Sequence, residues 1–395
     1  MIKQWISQIK DTERSYLLFL AATGFLGLAQ SVEGATLNNF LKDQLHIEIL
    51  QRSALEFPRE LPGLLVFLVI GLLSTIKDIR IAALANAIAA VGMLLLGLLT
   101  PNYLTILIFI FVYSIGQHTY MPLSSSIGMD FANNNEVGKT LGKISAVNTA
   151  ALVLGSALLC ILFKFAHLSY SISFSIGAAA LLCASILFML MPSKQCPKSK
   201  TRFVFRKEYN LYYWLCVLFG ARKQIFITFG PWVLVDVFKQ PVSTMTILFF
   251  IISVLGIWIK PFIGCLVDRV GEKMVLGGEA VLFFIICLGY AFSENLFTHN
   301  IALLIICGCY VIDQSMSAVN MARSTYMKKI SLYKEEVLPS LSLGTSIDHI
   351  VSMFLPFLGG ILWYSFGHDG YKLVFLGGAV IALLNLISTK AMKLT

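Results

Sequence analysis

The chain has 395 residues, of which 57% are hydrophobic and only 13% charged, and its net charge is +9. A soluble domain of this length would carry about twice that share of charge, so a water-soluble globular protein is excluded. The positive balance reads as the Lys and Arg excess that membrane proteins keep in cytoplasmic loops, not as a nucleic-acid footprint. Apolar runs of about 20 residues, enough to cross a hydrocarbon core of about 30 Å, recur along the whole length.

In chain order, the polar and basic stretch Met1 to Arg14 lacks a small-residue cleavage site and reads as a cytoplasmic tail, not a signal peptide. Six spanning helices are expected at Tyr16 to Phe40, Ile47 to Leu73, Ile79 to Leu99, Tyr103 to Met129, Gly138 to Phe165 and Ser169 to Met191. Six more are expected at Tyr209 to Phe238, Val242 to Val267, Met274 to Phe292, Asn300 to Met327, Val337 to Phe366 and Tyr371 to Ser388. The expected organisation is a bundle over residues 1–191, a basic linker over 192–208 and a second bundle over 209–395. If the N-terminus is cytoplasmic, 21 of the 30 Lys and Arg fall in tails and loops on that side. Lys42, Arg52, Lys164, Lys239 and Lys372 fall opposite, and Arg59, Arg222, Lys223 and Lys260 lie within the membrane. This asymmetry places both termini in the cytoplasm.

The halves carry a weak internal repeat. Glu136-Val137 matches Glu336-Val337, with Asn148 and Asp348 at the same offset, and Gly116-Gln117 lies opposite Asp313-Gln314. Ile70-Gly71 and Ile263-Gly264 close helices two and eight. Two related six-helix bundles are a common carrier plan.

Between helices eight and nine runs Gly264-Cys265-Leu266-Val267-Asp268-Arg269-Val270-Gly271-Glu272-Lys273, which reads G-x-L-x-D-R-x-G-x-K. It resembles the cytoplasmic loop signature of major facilitator superfamily transporters. The corresponding first-half loop, Gly71-Leu72-Leu73-Ser74-Thr75-Ile76-Lys77-Asp78, keeps Gly and Leu but has Thr75-Ile76 in place of the Asp-Arg pair. Pro356-Phe357-Leu358-Gly359-Gly360 is similar to the end of the G-P-x-x-G-G element, which drug antiporters of this family carry in helix five. Here Gly155-Ser156 has no such Pro, which disfavours a drug exporter. The resemblance implies an all-α membrane protein of twelve transmembrane helices in two pseudo-symmetric bundles. It also implies a gating latch built on Gly264, Asp268, Arg269 and Gly271, with Gly71 as the first-half counterpart.

An ionisable side chain inside the hydrocarbon costs at least about 2.5–3.5 kcal/mol and needs a partner, a cavity or water. Helix two carries Glu56, Arg59 and Glu60 on one face. From Leu61 to Thr75 the helix is only about 22 Å long, too short to span, so part of this cluster lies at membrane depth. Pro58 and Pro62 each remove a backbone hydrogen bond, so a kink is expected there. The cluster reads either as a proton-coupling or solute site, or as an ion-paired structural knot. Helix seven places Arg222-Lys223-Gln224 near mid-membrane, where paired cations call for an anion: a solute, or acids such as Asp313 and Asp348. Helix ten offers Asp313, Ser317, Asn320 and Ser324 as one polar face.

In the family, helices one, four, seven and ten line the cavity. The resemblance therefore implies solute binding by His118, Arg222, Lys223 and Asp313, with Gln224, Gln314 and Asn148 as further candidates. Proton coupling falls to Glu56, Arg59, Glu60, Asp348, His349 and, near the end of helix one, Glu33. No Walker A loop, H-E-x-x-H or nucleophile elbow occurs, and no cofactor, metal site or disulfide framework is indicated. The expected function is secondary transport of a small anionic or zwitterionic solute by alternating access, coupled to protons, by a monomer in a bacterial cytoplasmic membrane. A drug or metabolite efflux antiporter and a non-transport membrane receptor or enzyme on the same scaffold are the alternatives.

Overall fold

Lipid offers no hydrogen bonds to the backbone, so a chain this apolar satisfies its amides within helices. The structure, a computed structural model, describes residues 2–45, 55–99, 102–133, 135–192, 203–240 and 242–392. Twelve long helices run through these residues, with no strand among them. The first six are α1 (Ile2–Leu45), α2 (Glu56–Leu72), α3 (Asp78–Leu98), α4 (Tyr103–Asp130), α5 (Val137–Phe165) and α6 (Tyr170–Leu190). The others are α7 (Asn210–Trp232), α8 (Val242–Val270), α9 (Glu272–Leu296), α10 (His299–Ile330), α11 (Val337–Phe366) and α12 (Gly370–Lys390). Ten are long and apolar enough to cross a bilayer. The remaining two are α2, with 17 residues, and α7, which carries Arg222 and Lys223.

Three elements depart from expectation for physical reasons. No Pro interrupts residues 2–45, so α1 continues past both of its expected ends. Pro58 falls in the first turn of α2, where the amide has no intrahelical acceptor to lose, leaving Pro62 as the interior proline. Residues 47–54, expected to open that helix, lie outside the described residues. In α10 a 3-10 turn at Met316–Val319 resets the helical phase.

Packing groups the residues into two units: 1–133, 143–204 and 335–342 in the first, and 134–142, 205–334 and 343–395 in the second. Within the first, α3 packs on α4 and α6, α1 on α6, and α2 on α4. Small residues set these distances, as helices packing in lipid require. A Cβ on Gly92 would collide with the Tyr113 backbone, and one on Gly116 with Ala85 and Ala89. Within the second unit α9 packs on α12 and α10, α7 on α12, and α8 on α10. Its core is aromatic: Phe226 meets Phe283, Tyr290 and Phe375 edge-on, and Tyr290 stacks on Phe375 at 4.1 Å. Phe226 is fully buried whereas Trp258 is 74% exposed. Phe226→Ala is therefore expected to cost about 3–5 kcal/mol, and Trp258→Ala less than about 0.5 kcal/mol, read as unfolding midpoints in detergent.

Candidate solute-binding and coupling site

Arg222 and Lys223 stand about 18–20 Å along α7 from its start at Asn210. Consecutive helical residues diverge by about 100°, and the two cations accordingly reach different partners. Arg222 donates from Nη1 to Glu279 Oε1 and from Nη2 to Asp313 Oδ1, both at 2.7 Å. Glu279 Oε2 faces Arg323 Nη1 at 3.4 Å. Arg323 also donates from Nε to Asn320 Oδ1 at 3.2 Å and lies over the Phe219 ring at 3.7 Å. Arg222, Arg323, Glu279 and Asp313 are all buried. Lys223 donates to Asp348 Oδ2 at 2.8 Å, and Ser352 donates to Asp348 Oδ1 at 3.3 Å. The charges balance: Arg222, Arg323 and Lys223 against Glu279, Asp313 and Asp348.

Glu279 and Arg323 were not among the expected site residues. Glu279 sits well inside α9, so a scan for ionisable residues within apolar helices would have found it. Arg323 was counted with the cytoplasmic bases, yet it is only 3% exposed within α10. The expected polar face of α10 is broken by the 3-10 turn: Asp313 and Ser324 are buried, whereas Ser317 and Asn320 are exposed. Gln314 donates to Asp313 Oδ2 at 3.4 Å, Gln224 donates to Thr228 Oγ1 on its own helix at 2.9 Å, and His349 is buried beside Asp348.

The first unit holds a second polar cluster. Arg59 of α2 lies 3.7 Å from Glu33 of α1, and the Tyr113 hydroxyl of α4 donates to Glu33 at 2.8 Å. The Ser114 hydroxyl donates to the Arg59 carbonyl. His118 Nδ1 is 2.8 Å from Ser114 Oγ and 3.0 Å from the Ser114 carbonyl. A carbonyl only accepts, which puts the imidazole proton on Nδ1. The carboxylate of Glu60 and the ring nitrogen of His118 lie within 4.8 Å of one another. The expected trio on helix two thus includes a partner on α1, Glu33, while the Glu56 side chain lies outside the described residues. Asn148 of α5 donates to the Thr23 carbonyl at 3.4 Å.

The signature loop has a distinct job for most of its residues, all within the second unit. Gly271 has φ +83°, which allows α8 to turn directly into α9. Asp268 accepts from the backbone amides of Gly138 at 2.7 Å and Lys139 at 2.6 Å, the unpaired donors of the first turn of α5. A Cβ on Gly264 would collide with the Gly138 carbonyl, so glycine permits this approach. Glu272 is buried and accepts from Lys329 at 2.9 Å. Lys273 donates to the Lys390 and Met392 carbonyls at 3.1 and 3.4 Å, where α12 ends. Arg269 is exposed. In the first-half loop, Gly71 faces the Phe203 ring, Asp78 is buried, and Arg80 Nη1 is 3.1 Å from Met189 Sδ.

No curated protein sequence matches the chain. Among solved structures, a bacterial homologue of the iron transporter ferroportin superposes with a TM-score of 0.77 at 11% identity, covering 95% of this chain and 98% of that one. The E. coli fucose:proton symporter gives 0.72 at 11% identity, covering 96% and 98%. The human organic anion transporter gives 0.72 at 11% identity, covering 96% and 99%. At these identities the likeness is one of fold. The family described as Major Facilitator Superfamily matches residues 19–331. With that match over most of its length, the chain belongs to the major facilitator superfamily, as a multi-pass membrane transporter of small solutes.

Proposed function

We propose that the chain is a proton-coupled secondary carrier for a small anionic or zwitterionic solute, working by alternating access between its 1–191 and 209–395 halves. The observation that carries this reading is the charge-balanced network of Arg222, Glu279, Arg323 and Asp313 buried in apolar helices. Packed hydrophobic residues of the same volume would be as stable or more so, so such a network is kept for chemistry. The guanidiniums bind acidic groups, and the carboxylates bind protons or a cationic group of the solute. Lys223–Asp348, with Gln224 and His349 adjacent in sequence, forms the more accessible part of the same site, and Gln314 joins it through Asp313. Glu33, Arg59, Glu60 and His118 are the first unit's proton-handling groups, with Glu56 and Asn148 as accessory members. The Lys and Arg asymmetry supports cytoplasmic termini, and the compact chain with very short loops favours a bacterial inner membrane.

A thermal-shift screen of metabolites in detergent is expected to yield a stabilising solute. Proteoliposomes should then take up labelled solute faster when unlabelled solute waits inside, which only a carrier does. The rate should change between mildly acidic and mildly alkaline pH, and a flat profile with unchanged binding would defeat proton coupling.

The network's role is separable from its stability. Arg323→Met leaves Glu279 under-compensated and is expected to cost about 3–5 kcal/mol. Arg323→Met with Glu279→Leu should regain most of that loss in thermal unfolding without regaining transport. Recovery of transport in the double variant would make the network structural only.

Asp268 is the proposed gate, because releasing the first turn of α5 requires breaking both of its carboxylate hydrogen bonds. In Asp268→Asn an amide NH2 faces one of the two backbone donors. Turnover is expected to fall with solute affinity nearly unchanged, and a large affinity loss would move the gate elsewhere.

A further inference from the structure

Resting on the carrier reading above, we propose that the solute is a monoanion with a carboxylate-like head group that takes the place of Asp313 on Arg222 once Asp313 is protonated. The two acids of the network are held unequally. Glu279 faces a guanidinium on each oxygen, Arg222 at 2.7 Å and Arg323 at 3.4 Å. Asp313 has Arg222 on one oxygen and only the Gln314 amide, at 3.4 Å, on the other. Asp313 is therefore the acid with less to lose. The network also holds more donors than acceptors: among the described residues, Arg222 Nε and Arg323 Nη2 are buried with no hydrogen-bond partner. Buried guanidinium N–H groups without acceptors are costly, and a further anionic acceptor relieves that cost.

Charge selects the class. The groups facing Asp313 are Arg222 from α7, Glu279, Cys287 and Tyr290 from α9, and Cys309 and Tyr310 on its own helix. Of these only Arg222 and Glu279 carry charge at neutral pH. A neutral solute arriving with a proton on Asp313 would leave the network one positive charge in excess, and a dianion would leave it one negative charge in excess. A monoanion with one proton leaves the buried charge as it was. Hydronium gives its proton to an Asp313 carboxylate oxygen and is left as water, the Nη2–H bond to Oδ1 is exchanged for one to the solute, and the new carboxyl O–H becomes a donor to the same anion. One proton and one negative charge then cross together.

The test uses full-length protein in detergent, with sodium formate and acetate as probes. Acetamide serves as the neutral isostere and sulfate as the dianion, at matched ionic strength. Asp313→Asn reproduces the neutral side chain and is expected to gain several degrees of thermal stability with formate or acetate, beyond acetamide and sulfate. Wild type should show this response only as the pH is lowered, so the proposal is tested even if Asp313→Asn fails to fold. Arg222→Gln with Asp313→Asn should show no response at any pH. A response to sulfate or acetamide equal to that of formate overturns the proposal, as does no response in both Asp313→Asn and acidified wild type. Absent formate response with intact counterflow removes the monoanion class and leaves the carrier reading standing. Formate response without counterflow of any solute removes the carrier reading instead.

Discussion

One carboxylate shared between two guanidiniums holds the centre of the second unit together. Glu279 lies between Arg222 and Arg323 in a medium that hydrates none of them. An isolated charge there would unfold or reorient its helix, and removing one partner of a buried pair is far more costly than never having built it. The position of α7 therefore depends on α9 and α10 as much as on its own hydrophobicity. Its membrane-facing residues and its aromatic contacts with α9 and α12, centred on Phe226, surround the charges with low-dielectric packing that strengthens each pair. Phe219 and Phe283 add ring faces beneath Arg323 and Arg222, a favourable surface for a guanidinium that has left water.

The same rule governs the helix ends. Every helix leaves unpaired amides at its start and carbonyls at its finish, and in the second unit the signature loop serves several at once. Asp268 takes two amides of α5, Lys273 takes carbonyls at the end of α12, and Glu272 pairs with Lys329 of α10. One short loop thus ties the ends of α5, α10 and α12 to the α8–α9 turn. The first-half loop lacks the Asp-Arg pair, and its glycine is covered by an aromatic ring, Phe203, where its counterpart meets a backbone. The two halves share a plan without sharing this chemistry.

Much was legible from residue order alone because hydrocarbon imposes a one-dimensional constraint: length and apolarity of a run decide whether it spans. Twelve helices follow from composition and spacing, and the family from the resemblance carried by the loop Gly264 to Lys273, whereas residues 193–202 of the expected basic linker lie outside the described residues. Mid-membrane charges stood out for the same reason, which is how Arg222, Lys223, Asp313 and Asp348 were found. Partner choice was not legible. Arg59 lies beside Glu33, which belongs to α1, and spacing along helix two cannot show a partner on another helix. Glu279 lies two turns beyond the polar start of α9 and Arg323 lies one turn before the basic end of α10, so residue order gives no sign that the two meet.

The sequence by itself determined the solvent, the number of spans, the family and the loop that punctuates the second half, since each depends on local pattern. Only the tertiary structure decided that Glu279 joins two arginines, that the 3-10 turn at Met316–Val319 breaks the polar face of α10, and that Asp268 caps α5. These depend on which helices lie side by side and at what rotation. A single inserted turn changes that rotation without changing any residue.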